Sequence, residues 1–102
     1  MLDDITLTIR WESGDGAWLF SVIDNGKVRL VNAEKQEGRG EVSVAYQADS
    51  APTHRIEWLL SFPERTLRGL EAIATVNGGV EQRLSSREEA TTRWLDSGVA
   101  AS

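Results

Sequence analysis

The sequence of 102 residues contains no cysteine and a single histidine, His54. Without cysteine the chain has no disulfide framework, no thiolate nucleophile and no cysteine-ligated zinc site. With only one imidazole as well, we expect no metal site and no cofactor. The absence of cysteine also fits a reducing compartment, and we expect a cytoplasmic protein.

Long apolar runs and blocks of like charge are also missing. The longest apolar run, Ala17 to Phe20, is far too short to cross a bilayer. The N-terminal residues, Met1 to Ile5, show neither the basic region nor the apolar region of a signal peptide. Sixteen acidic and eleven basic residues are interspersed and give a net charge of −5, which disfavours binding to nucleic acid. We therefore expect a soluble protein with no membrane span and no nucleic-acid partner.

What the sequence does contain is alternation of apolar and polar residues. From Asp4 to Glu12, Ile5, Leu7 and Ile9 alternate with polar side chains, which is typical of a half-buried β-strand. Similar stretches recur at intervals of about ten residues, separated by turn residues. A chain of this length forms one domain. We predict a single-domain, all-β, antiparallel β-sandwich of about seven strands over residues 1–102.

The turn after the second predicted strand is compatible with two registers. A two-residue loop at Asn25-Gly26 pairs Ile23 with Val28, whereas a three-residue loop that includes Asp24 pairs Val22 with Val28. We favour the three-residue loop because it separates apolar from polar side chains more cleanly. Its inward face holds Trp18, Phe20, Val22, Val28 and Leu30.

That register leaves an apolar stripe on the outward face. The stripe consists of Leu19, Ile23 and Val31, and it needs a cover. The tail, the charged segment Ala33 to Gly40 or a partner subunit could supply this cover. We interpret Ala33 to Gly40 itself as a mobile loop.

The C-terminal part of the chain changes character. Pro63 to Arg65 predicts a break between a fifth strand, Thr53 to Phe62, and a sixth, Thr66 to Val76. In the tail, residues 86–102, the Ser86-x-x-Glu89 pattern matches a helix capping box. It predicts a short helix from about Arg87 to Asp96, followed by a frayed end. The alternative is an eighth strand from Thr91 to Leu95.

Few residues are candidates for catalysis, and we assign none of them. His54 would have to be the base of any nucleophile–histidine–acid triad, but it is more simply a residue at the end of a strand. Glu57 and Glu64 are the acidic pair closest to a glycosidase pattern, although Glu57 alternates with buried residues and should face outward. An enzyme that uses either set is the third hypothesis for function.

The four tryptophans are the stronger functional signal. Trp11, Trp18 and Trp58 lie on inward faces and are expected in the core, whereas Trp94 either packs the tail onto the sheet or presents an apolar surface. We predict a non-enzymatic module that binds a protein partner or a second copy of itself. The predicted binding residues are Trp94, Trp11, Leu19, Ile23 and Val31. The alternative is a carbohydrate-binding domain with Trp11 or Trp94 as its platform.

Overall fold

The computed structural model describes residues 1–12, 16–30 and 36–101, which form only strands and turns. The seven strands are β1 (Leu2–Arg10), β2 (Gly16–Asp24), β3 (Lys27–Leu30), β4 (Gln36–Arg39), β5 (Glu41–Asp49), β6 (Thr53–Val76) and β7 (Gln82–Ala101). Every pairing between them is antiparallel. The predicted all-β, antiparallel architecture is therefore confirmed.

Two sheets, each four strands wide, share the long strands β6 and β7, and in the first sheet β3 and β4 occupy one edge position in turn. In the first sheet, β2 lies between the first half of β6 and the short strands β3 and β4, and the second half of β7 covers the other edge of β6. The second sheet has the order β5-β1-β6-β7 and uses the other halves of the long strands. Between Ser61 and Thr66 the pairing of β6 with β7 shifts register, and here both strands pass from one sheet to the other.

The hairpin of β6 and β7 is folded back on itself, so that the two ends of β7 meet. The side-chain amide of Gln82 donates to the carbonyl of Ala101 (2.6 Å) and accepts from its N–H (2.7 Å). Further along, a Cβ atom at Gly98 would lie 2.5 Å from the Cβ of Leu84, so only glycine allows this approach. We call this end of the molecule, where β6 begins and β7 ends, the open end.

One apolar core lies between the inward faces of the strands. Its largest fully buried side chains include Trp58, Phe62, Leu7 and Leu60, each of which contributes about 1.5–3 kcal/mol by leaving water. The ring of Trp94 packs edge-on against Trp58, with centroids 5.8 Å apart and planes at 62°. This contact attaches the second half of β7 to the core. It is the first of the two roles that the sequence left open for Trp94.

The predicted helix from Arg87 to Asp96 is wrong, because these residues belong to β7. The alternative strand, Thr91 to Leu95, lies wholly within β7. The predicted frayed end is also wrong, because the chain stays paired as far as Ala101, which lies opposite Thr53. Pairing along β6 supplies backbone hydrogen bonds that outweigh the local signal of the capping box. The described residues accordingly contain no helix of the length and apolarity needed to cross a bilayer.

The predicted inward face of β2 is also wrong in part, because the strand contains a bulge. Opposite β6, the register shifts between Leu19 and Ser21, so Phe20 is the additional residue. A bulge reverses which side chains face inward. Leu19 is therefore completely buried before the bulge and Val22 after it, whereas Trp18 and Ile23 are partly exposed on the other face.

The turn between β2 and β3 adopts the two-residue alternative. Ile23 pairs with Val28 and Asp24 with Lys27, which leaves Asn25 and Gly26 as the loop. Both have positive φ, 48° and 83°, as the two central residues of a type I′ turn require. The favoured three-residue loop is therefore wrong.

Two further boundaries differ from the prediction. Gln36 to Arg39 is strand β4, paired with β2, where the sequence predicted a loop. The fifth and sixth predicted strands are a single strand, because β6 continues through Pro63 to Arg65. Val31, and the predicted loop before Gln36, lie outside the described residues.

Candidate functional site

A buried histidine lies between two carboxylates at the open end. The side chain of His54, on the first half of β6, has no exposed surface. Its Nδ1 lies 2.9 Å from Oδ1 of Asp24 at the end of β2, and its Nε2 lies 2.7 Å from Oδ2 of Asp3 at the start of β1. Both carboxylates are almost completely buried. We call these three residues the Asp–His–Asp cluster.

Further donors satisfy the remaining oxygens of the two acids. Oδ1 of Asp3 accepts hydrogen bonds from Nδ2 of Asn77 (3.0 Å) and Oγ of Ser50 (3.1 Å), and its Oδ2 accepts one from the N–H of Ala51 (3.3 Å). Oδ2 of Asp24 accepts from the hydroxyl of Tyr46 (2.8 Å). Buried charge is tolerated only when it is paired and hydrogen-bonded in this way.

With both acids ionised, the geometry favours a charged imidazole. A neutral histidine has one N–H, whereas both ring nitrogens of His54 face a carboxylate, so only the imidazolium donates to both. Burial alone lowers the pKa of His54, but the hydrogen bonds to Asp24 and Asp3 outweigh it, and the pKa is raised above its ordinary value. The hydrogen bond from Asn77, followed by that from His54, holds the pKa of Asp3 well below its usual range. Burial and the bond to Asp24 raise the pKa of Tyr46.

This arrangement suits neither general-base catalysis nor metal binding. A base needs a free lone pair within reach of substrate, but both nitrogens of His54 are occupied and the ring is buried. Asp3 and Asp24 lie on opposite edges of the ring and do not converge on one cation. Within the described ranges, no group of three or more histidine and acidic side chains has metal-site geometry.

A second feature is an apolar surface on the outer face of the first sheet. Ile23 on β2 pairs with Val28 on β3, and Leu59 on β6 pairs with Leu95 on β7. Ser21 lies directly opposite Leu59, and Ile23 is two positions further along β2. Ile23 is therefore the diagonal neighbour of Leu59. Leu95 is 73% exposed and Val28 56%, and the other two are partly exposed. We call these four residues the outer patch.

Charged residues flank the outer patch. Exposed Arg55 and Glu57 lie on β6, and exposed Arg93 lies on β7, on the same face as Leu59 and Leu95. Beside Leu95, a depression of about 350 Å³ is lined by Glu57, Leu95, Asp96 and Ser97. The face therefore combines aliphatic side chains with both signs of charge.

The predicted binding residues do not form one surface. Leu19 is fully buried, so its predicted outward orientation is wrong, and Trp11 and Trp94 are only 5% and 8% exposed. Ile23 belongs to the outer patch, and Val31 lies outside the described residues. Neither Trp11 nor Trp94 presents a free indole face of the kind that stacks on a sugar.

Of the two candidate acids, only Glu57 has a described side chain, and it is not part of the cluster. Glu57 is exposed on the outer face, as predicted, and the side chain of Glu64 is outside the described part of the molecule.

Sequence reasoning missed the cluster and three of the four residues of the outer patch. A signal for the cluster was present in the sequence. Asp3 lies two positions before Ile5, and His54 two positions before Ile56, so the alternation places both on inward faces. Ionisable residues at inward positions of two strands require partners, and each can be the other's. For Leu59 and Leu95 no signal was available, since their pairing depends on the long hairpin of β6 and β7.

Comparisons with known proteins provide no further guide. The sequence matches no protein-family model, no curated protein and no solved structure.

Proposed function

We propose that this chain, with its two sheets arranged as a β-sandwich, is a non-catalytic interaction module whose binding surface is the outer patch. The observation that carries the proposal is the adjacency of Ile23, Val28, Leu59 and Leu95 across four strands of one sheet. Contiguous aliphatic surface on a small domain is a common feature of protein-binding sites. A cytoplasmic location stays a prediction from the sequence.

The first candidate for the partner is a second copy of the chain. A two-fold dimer needs a patch that is complementary to itself. The outer patch meets this requirement, because aliphatic side chains can pack against their equivalents while Glu57 of one copy faces Arg55 or Arg93 of the other. In a chain of net charge −5, a face on which Arg55 and Arg93 offset Glu57 and Asp96 also limits the repulsion between copies.

Sedimentation velocity over a concentration series tests self-association. We expect a concentration-dependent increase in mass for the natural chain. Leu95→Ser removes the most exposed member of the patch and should weaken association by about tenfold or more, the loss typical of a residue that matters in an interface. The matched control is Val80→Ser, because Val80 is 84% exposed in the turn between β6 and β7, away from the patch.

Three results would count against the proposal in different ways. Equal weakening by Leu95→Ser and Val80→Ser would remove the specificity of the patch. Association that neither change affects would place the interface elsewhere. A natural chain that stays monomeric throughout would exclude the second copy as partner.

A further inference from the structure

We infer that the Asp–His–Asp cluster is a pH-sensitive latch between the two sheets at the open end, whose contact between His54 and Asp3 is released when His54 loses its proton. The inference does not depend on the proposed function. The cluster joins the two sheets, because His54 pairs with Ala100 in the first sheet and Asp3, its partner at 2.7 Å, pairs with Ala48 in the second. The bond from Tyr46 on β5 to Asp24 on β2 also joins the sheets.

The charges around His54 come from several strands. β1 supplies Asp3, β2 supplies Asp24, and β5 supplies Tyr46 behind Asp24. Ala100 lies opposite on β7 and carries no charge. Arg29 on β3 acts on Tyr46 at longer range. With the acids ionised and His54 protonated, the cluster has a net charge of −1, and loss of the proton makes it −2 in a buried site.

One of the two contacts must break when the proton leaves, because the neutral ring has a single N–H. Asp3 retains three other donors, Asn77, Ser50 and the N–H of Ala51. Asp24 would retain Tyr46. The remaining N–H therefore stays on Nδ1 toward Asp24, and the contact between Nε2 and Asp3 is lost. The bond that breaks joins the two sheets, whereas the bond from Tyr46 to Asp24 remains.

The sign of the pH dependence follows from proton linkage. The raised pKa of His54 means that the folded chain binds this proton more tightly than the unfolded chain does. The stabilisation is complete below the unfolded pKa of about 6.5. It is lost as the pH rises toward the folded pKa, by about tenfold in the folded-to-unfolded ratio per pH unit. Asp3, with its lowered pKa, contributes stability above about pH 4 that is lost in acid.

Two measurements on the natural chain test the latch. Nitrogen NMR of the ring is unambiguous because His54 is the only histidine. We expect both nitrogens to be protonated at about pH 6.5, a titration midpoint above that value, and the Nδ1–H tautomer beyond it. Denaturant unfolding is measured from about pH 5 to about pH 10. The folded-to-unfolded ratio should fall by about tenfold per pH unit between about pH 6.5 and the titration midpoint of His54.

Variants separate a latch from a merely structural histidine. His54→Gln should remove the alkaline loss of stability, and Asp3→Asn, which keeps the shape of the side chain, should move the titration midpoint of His54 to lower pH. The control is Asp49→Asn, which breaks the exposed pair of Asp49 with Lys27 at the same end and should leave the alkaline dependence unchanged.

Failure would be plain in either measurement. A neutral imidazole at about pH 6.5, or a midpoint at or below it, overturns the inference. So does an alkaline loss of stability that persists in His54→Gln. If that variant does not fold, an Asp3→Asn variant whose midpoint fails to move down overturns the inference equally.

Discussion

The Asp–His–Asp cluster and the outer patch invert the usual distribution of side chains in opposite ways. The cluster places three ionisable side chains inside the molecule, whereas the outer patch leaves aliphatic side chains on its surface. Inside, every carboxylate oxygen of the cluster has a hydrogen-bond donor. Outside, Leu95 and Val28 remain more than half exposed.

The comparison separates a feature of stability from the surface that we propose for binding. A buried polar group whose partners are all present holds strands in place and needs nothing further from outside. An exposed apolar surface is satisfied only when something covers it. The two regions are close in the chain, since Asp24 follows Ile23 on β2, so substitutions one residue apart probe opposite behaviours.

The largest expected effect is the loss of the imidazole. His54→Ala leaves Asp3 and Asp24 without the cation between them, and removal of one partner from a buried ion pair costs about 3–5 kcal/mol. Chemical denaturation at about pH 6, where the imidazolium is fully formed, measures this directly. A loss below about 1 kcal/mol would show that the cluster contributes little to stability.

Leu19→Ala tests whether the bulge at Phe20 turns this residue inward. Deletion of a fully buried leucine side chain costs about 2–5 kcal/mol of unfolding free energy, and Leu19 has no exposed surface. Thermal or denaturant unfolding provides the measurement. A cost near zero would restore the outward stripe that the sequence predicted.

Tyr46→Phe removes one hydrogen bond from the cluster and keeps the ring. Because the hydroxyl donates to the buried carboxylate of Asp24, we expect a loss of about 1.5–3 kcal/mol, the range for bonds to charged groups. Comparison of the unfolding curves of the two proteins gives the value. An unchanged free energy of unfolding would mean that Asp24 does not depend on this donor.

The smallest expected effect on folding is that of Leu95→Ala. Surface substitutions away from special features change stability by about 0.5 kcal/mol or less, and Leu95 is mostly exposed. The same denaturation experiment as for Leu19→Ala checks it. A loss comparable to that of Leu19→Ala would make Leu95 part of the core and remove it from the outer patch.

Regular strands were predictable, and irregular ones were not. β1 pairs with β5 over nine consecutive residues without a shift, so simple alternation correctly assigned Ile5, Leu7 and Ile9 to the core. In β2 a single bulged residue, Phe20, reverses the alternation. Nothing in the residues around Phe20 indicates this, because the bulge is set by pairing with a strand far away in sequence.

The C-terminal strand shows why the helix prediction was wrong. Ala90 and Trp94, the residues that suggested a helical face, are four positions apart, and that spacing puts side chains on one face of a strand as well as of a helix. Both are buried in β7. The register of β7 depends on the additional residues of β6 after Ser61 and on the extra residue near Leu84, which only the folded hairpin defines. The outer patch therefore could not be assembled from the sequence.

The most direct test of the outer patch is a dilution series followed by methyl NMR. If the patch is the binding surface, the methyl signals of Ile23, Val28, Leu59 and Leu95 shift together with concentration. Those of the buried Leu19 and of the exposed Val80 should not follow them. Shifts centred on Val80, or constant signals across the patch while other regions move, would contradict the assignment of this face to binding.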